Sequence, residues 1–147
     1  MARKPVNAKG RRERGAFIQV SKGVINSPEF VHLSAYAMQL FIDLYGQFNG
    51  RNNGDLCASW TLMRARGWRS KATLHRAIEE LRDKDWLVVS RQGGRSKASL
   101  YALICLAVDE CGGKLDIAAT AAPLGTWRNN RCCTSYVNQV GMPTVPN

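Results

Sequence analysis

The chain has 147 residues, the length of one domain, and 45% of them are hydrophobic, enough for a real core and against wholesale disorder. Lysine and arginine number 21 against 11 aspartates and glutamates, a formal charge of +10 that favours a polyanionic partner, nucleic acid before an anionic membrane surface. No apolar run approaches the roughly 18 residues of a membrane-spanning helix. No apolar core follows the basic N-terminus to make a signal peptide, so a soluble, cytoplasmic protein is expected. The five cysteines (Cys57, Cys105, Cys111, Cys132, Cys133) are odd in number and lack a C-x-x-C pair. With only His32 and His75 to complete a metal site, reduced thiols are expected, with no disulfide framework, no zinc and no cofactor.

Residues 1–15 carry Arg3, Lys4, Lys9, Arg11, Arg12 and Arg14 against Glu13 alone and read as a flexible basic arm. Such an arm either grips DNA or merely aids solubility. Residues 16–106 hold the periodic pattern and read as the folded domain. Phe17 to Val20 suggests a short strand or extended lead-in. Ser34 is a helix N-cap, Leu33 and Met38 are spaced as a hydrophobic staple, and Ala37, Leu40, Phe41 and Leu44 repeat along one helical face. The segment Asn49 to Gly54 ends that helix in a loop, and Asp55-Leu56-Cys57 predicts a very short strand.

A short helix fits Ser59 to Arg66, with Ser59 as its cap, Leu62, Met63 and Ala65 inward and Gly67 as its stop. Ser70 caps a longer helix from about Lys71 to Asp83, whose stripe is Leu74, Ala77, Ile78 and Leu81. Trp86 to Arg91 and Ala98 to Leu106 are β-compatible runs around Gly93-Gly94, a hairpin pattern. Residues 107–147 lose periodicity and read as an irregular C-terminal extension.

The block from Ser59 through Gly67-Trp68-Arg69-Ser70 to Leu81 resembles the winged helix-turn-helix pattern: short helix, Gly-x-x-Ser, recognition helix ending in x-x-Leu. Asp85-Trp86-Leu87-Val88 resembles the step into the first wing strand, with Asp85 and Trp86 where a small residue is usual. The long first helix, the Asn-Gly-rich loop and Ser99-Leu100-Tyr101-Ala102-Leu103 are similar to winged-helix proteins of phages, plasmids and integrated mobile elements. N-terminal domains of phage replication proteins are among them. The resemblance covers roughly residues 30–106. It implies an α+β, mostly helical fold of three helices and a hairpin wing, and non-catalytic binding of double-stranded DNA in transcriptional control or replication of a mobile element.

The residues support this reading without the likeness. With the apolar stripe inward at about 100° per residue, the outward side presents Arg69, Ala72, Thr73 and Arg76, with Glu80 and Asp83 further along. Cations thus lead and acids trail, the reverse of what the helix macrodipole prefers. A recognition helix entering the major groove by its N-terminal end wants that order. Arg69 and Arg76 suit guanine edges, Thr73 a thymine methyl or phosphate, and Lys71 and His75 phosphates. Arg91, Arg95 and Lys97 on the wing suit the minor groove or the backbone, or else are ordinary charges guarding a sheet edge.

Trp60, Trp68 and Trp86 lie at element boundaries and are expected as core or turn anchors rather than base-stacking groups. Tyr36, Phe41 and Tyr45 suit helix packing or a homodimer surface. No catalytic constellation assembles: Asp109-Glu110 are adjacent carboxylates and Cys111 has no partner base in view. The rival from another class is a winged-helix protein-interaction module, an inhibitor or adaptor docking on a protein or nucleoprotein.

Overall fold

Serine decides where most of the helices begin. In the computed structural model, which describes residues 16–124, Ser21, Ser27, Ser34 and Ser70 each turn a side-chain oxygen onto a free backbone N–H of the turn that follows. They open α1 (Lys22–Ile25), α2 (Pro28–Val31), α3 (Ala35–Tyr45) and α5 (Lys71–Asp83). Ser59 precedes α4 (Trp60–Ala65) with an extended backbone but makes no such bond. The basic arm, with Arg11, Arg12 and Arg14, and residues 125–147, with Cys132 and Cys133, lie outside the described residues.

The architecture is α+β: five helices and a three-stranded antiparallel sheet among the described residues. The periodic pattern predicted three helices. The two it missed, α1 and α2, are single turns, too short to show a period of 3.6. Their signal is capping chemistry, a serine followed by proline at the first helical position in α2. Residues 16–21 form no strand. In α4, Met63 is buried as expected, but Ala65 is exposed and Leu62 is 39% exposed, so those two inward assignments are corrected. A six-residue helix lying across the core presents only one side chain fully to it.

Two helix ends share one geometry. After α4, Gly67 takes φ 95°, its N–H meets the Arg64 carbonyl and the Trp68 N–H meets the Met63 carbonyl. After α5, Asp85 takes φ 56°, its N–H meets the Arg82 carbonyl and the Trp86 N–H meets the Leu81 carbonyl. Both are Schellman ends, and in both the tryptophan and the residue beneath it are buried (Trp68 with Met63, Trp86 with Leu81). The turn at Asp85-Trp86 therefore needs no small residue: aspartate tolerates the left-handed backbone and tryptophan supplies the apolar clasp.

The sheet runs in the order β1 (Leu56–Cys57), β3 (Leu100–Leu103), β2 (Leu87–Arg91), so β2 is an edge strand. The run from Ala98 to Leu106 is strand only over its middle. The core is the apolar face of α3 (Ala37, Leu40, Phe41, Leu44) against Leu74, Ala77 and Leu81 of α5. Ile78 is only partly buried. Phe30, Phe41 and Trp86 meet edge to face, with ring centroids 5.1 to 5.9 Å apart. The short α2 thus earns its order by delivering one aromatic ring, a burial worth about 1.5–3 kcal/mol.

Asn53 joins the loop after α3 to the end of β3. Its side-chain amide donates to the carbonyls of Leu103 and Ala107, and its side-chain oxygen accepts the Leu103 N–H at 2.8 Å. Beyond β3, residues 107–120 contain one short 3-10 turn (Cys111–Gly113) and lie against the domain, with Val108 buried. No helix among the described residues is long and apolar enough to cross a membrane.

Candidate nucleic-acid interface

The turn between α4 and α5 is held from below by α3. Asp43, 8% exposed, accepts two bonds from Arg66 (Nε at 3.0 Å, Nη2 at 2.8 Å) and one from the indole N–H of Trp68 at 2.8 Å. The indole is packed under the turn and Arg69, the next residue, is exposed above it. Sequence reasoning missed this carboxylate. Its only local trace was the single acid in an otherwise largely apolar helix. Arg66, one of the cations that make this segment basic, is consequently matched by Asp43.

Along α5, Lys71, Ala72 and Arg76 are exposed and Thr73 is half-buried. Neither Arg69, Lys71 nor Arg76 makes an ion pair among the described residues. The Lys71 ammonium sits 5.9 Å from the ring centroid of Trp60, which leaves its charge exposed while steadying its stem. Arg69 and Thr73 come together on one cleft of about 360 Å³, completed by Tyr36, Gln39, Gly67, Trp68 and Ser70. Tyr36 is 57% exposed, and its ring centroid lies 6.0 Å from that of Trp68.

Glu80 does not stand on the outward face. It turns toward α3 and accepts the backbone N–H of Ser34 at 2.9 Å, the Ser34 hydroxyl at 2.5 Å and the Lys84 ammonium at 2.8 Å. Burial alone would push its carboxyl up, but the bonds from Lys84 and Ser34 outweigh that and hold it down at about 2. The acids that trail the cations on the exposed side are Glu79 and Asp83. Glu79 lies 3.4 Å from His75 Nδ1, which gives that ring a partner within the helix. The order of charge along α5 survives with a different acid carrying it.

In the hairpin between β2 and β3, Gly94 and Lys97 pair across a two-residue turn formed by Arg95 and Ser96. Gly93-Gly94 is therefore the arm leading into the turn and not the turn itself. Gly93 is there because the opposite arm comes close: a Cβ on it would sit 2.5 Å from the Ser99 nitrogen. Arg95 and Lys97 are exposed at the tip. Arg91 is half-buried and folded back, with Nη2 donating to the Ala98 carbonyl at 3.1 Å.

The cations expected to act together thus divide into a set on the turn and first half of α5 and a pair at the hairpin tip, with Arg91 at the hairpin's base. Burial pushes the Cys105 thiol up to about 12, and burial with Asp55 and Asp109 nearby raises Cys111. Comparison of the chain with protein-family models, with curated proteins and with solved structures gave no match.

Proposed function

We propose that the protein binds double-stranded DNA through a winged-helix layout, with α4 and α5 as the helix-turn-helix and the β2–β3 hairpin as the wing. The N-terminal half of α5 enters the major groove, where Arg69 and Arg76 reach base edges and Lys71 a phosphate. Arg95 and Lys97 lie against the backbone or minor groove, and the basic arm adds further phosphate contacts. Transcriptional regulation or replication of a mobile element are the roles such a module fills.

The observation that carries this reading is the charge order of α5. Arg69, Lys71 and Arg76 lead, make no ion pair among the described residues and oppose the helix macrodipole, with Arg82 the one cation of the last turn. An arrangement that costs the isolated helix stability is explained by a polyanion in contact with it. The test is selection of genomic fragments by the purified protein at physiological salt with excess competitor DNA, followed by sequencing. Discrete enriched sites are expected, at promoters for a regulator or at an origin for a replication factor. Retention of every fragment alike refutes specific recognition.

A protein-interaction role has its own support in Tyr36, Ile42 and Leu62, large apolar side chains left exposed on α3 and α4. Arg69→Glu with Arg76→Glu separates the two readings. The pair abolishes DNA binding under the first and leaves a complex made through the apolar surface intact under the second.

A further inference from the structure

The wing leaves the sheet through a bulge. Val89 faces Tyr101 and Arg91 faces Leu100, so Ser90 has no partner across the ladder. A bulged residue bends its strand and increases the local twist, and whatever holds it sets the direction in which the hairpin departs. Ser90 is 0% exposed and held on two sides. Its hydroxyl donates to the Gly54 carbonyl at 2.5 Å, and its carbonyl accepts the Asp116 N–H at 2.8 Å.

Asp116 reaches further along the same edge. One carboxylate oxygen accepts the Gln92 N–H at 2.8 Å, two residues beyond Ser90 toward the wing tip. The segment that carries Asp116 is anchored on both sides. The Asp109 N–H meets the Asn53 carbonyl and the Asp109 carboxylate meets the Asn53 N–H, each at 2.8 Å. Thr120 then closes back on Val108, its hydroxyl accepting the Val108 N–H at 3.0 Å and its own N–H meeting the Val108 carbonyl at 2.9 Å. Residues 107–120 therefore form a strap along the open edge of β2, and Asp116 is its point of contact with the wing's base.

We propose that Asp116 and Ser90 are positioning residues for DNA binding: by locking the bulge, they fix the wing's aim and so where Arg95 and Lys97 meet the phosphates. The proposal rests on the DNA reading above and makes a prediction of unusual sign. Asp116 is a carboxylate near a surface meant for a polyanion, so plain electrostatics says that removing it tightens binding. Positioning says that removing it loosens binding.

The experiment compares wild type, Asp116→Ala, Asp116→Asn and Thr120→Val for affinity to a fluorescent random-sequence DNA duplex at several salt concentrations. Amide hydrogen exchange at Gln92 is followed in the free proteins. Asn keeps an acceptor oxygen for the Gln92 N–H while losing the charge, and Thr120→Val loosens the strap without touching charge or wing.

Asp116→Ala is expected to quicken exchange at Gln92 roughly tenfold, as befits the loss of one hydrogen bond. It should also weaken duplex binding several-fold and reduce the log–log salt slope by about 0.9 for each phosphate contact the wing gives up. Asp116→Asn should bind at least as tightly as wild type, and Thr120→Val should weaken binding in the same direction as Asp116→Ala. An Asp116→Ala protein that binds as tightly as wild type, or more tightly, overturns the proposal while leaving the DNA reading standing. Wild-type protein that ignores the duplex overturns both. Unchanged exchange at Gln92 overturns the strap whatever the DNA result.

Discussion

Replacing Asp43 with alanine withdraws the acceptor on which the turn before α5 is built. The side chain receives three hydrogen bonds, two from Arg66 and one from Trp68. Their worth differs because their surroundings differ. The Arg66 side chain is 54% exposed and returns to water when its partner goes, so its ion pair contributes about 0–1 kcal/mol. The Trp68 side chain is 4% exposed, and its indole N–H is left without an acceptor, at about 1–3 kcal/mol. With a small loss of packing, Asp43→Ala should cost about 2–4 kcal/mol, most of it through Trp68.

Urea unfolding of a double-mutant cycle with Trp68→Phe measures the apportionment. Phenylalanine has no N–H to orphan, so in that background Asp43→Ala should cost only about 0–1 kcal/mol, the share assigned to Arg66. Arg66→Ala alone should cost the same small amount. Equal costs of Asp43→Ala in the two backgrounds would refute the argument. The site should register the change as well: with the indole loosened, Arg69 loses its setting and duplex affinity should fall more in Asp43→Ala than in Arg66→Ala.

Glu80, held at about 2 against an ordinary 4.5, stabilises the fold above the ordinary carboxylate range and loses that contribution as pH falls from 4.5 toward 2. Because Lys84 is partly exposed, the effect near neutral pH is roughly 1–2 kcal/mol, and Glu80→Gln should flatten an unfolding-versus-pH curve over that acid window. Asn53→Ala strips the Leu103 N–H of its side-chain acceptor and the carbonyls of Leu103, Leu106 and Ala107 of an amide donor, which should cost about 3–5 kcal/mol in thermal or urea unfolding. Asp85→Gly relieves a left-handed backbone at φ 56° and should add about 0.5–1 kcal/mol of stability by the same measurement. Arg76→Ala should cost about 1–3 kcal/mol of binding at one base position, read by competition among sequence variants of a selected site. Uniform weakening on all sequences would make Arg76 a phosphate contact instead.

The strongest expectations were the ones with local causes. Ser34 and Ser70 open α3 and α5 as their capping chemistry dictates, and α5 runs over the residues its period marks out. Gly67 ends α4 because a left-handed residue was needed there. The tryptophans at the element boundaries are the turn anchors their positions suggested, Trp68 and Trp86 fully and Trp60 in part. The inward faces of α3 and α5 follow from 3.6 residues per turn over three turns, long enough for the period to stand out.

Sequence alone determined where these helices begin and end, which stripes they bury, and that the charge on α5 runs against its dipole, since each depends on residues within a turn or two. Tertiary structure decided the partners. Periodicity placed Glu80 on the outward side, and only the arrival of Ser34 from 46 positions away recruits it to α3. Asp43 becomes the anchor of the turn only when Arg66 and Trp68 are folded over it. Asp116 had no pattern around it at all, yet it holds the edge of β2 from 24 positions beyond Gln92. Hydrogen bonds of such separation leave no period in the chain, because their geometry exists only after packing has paired the segments.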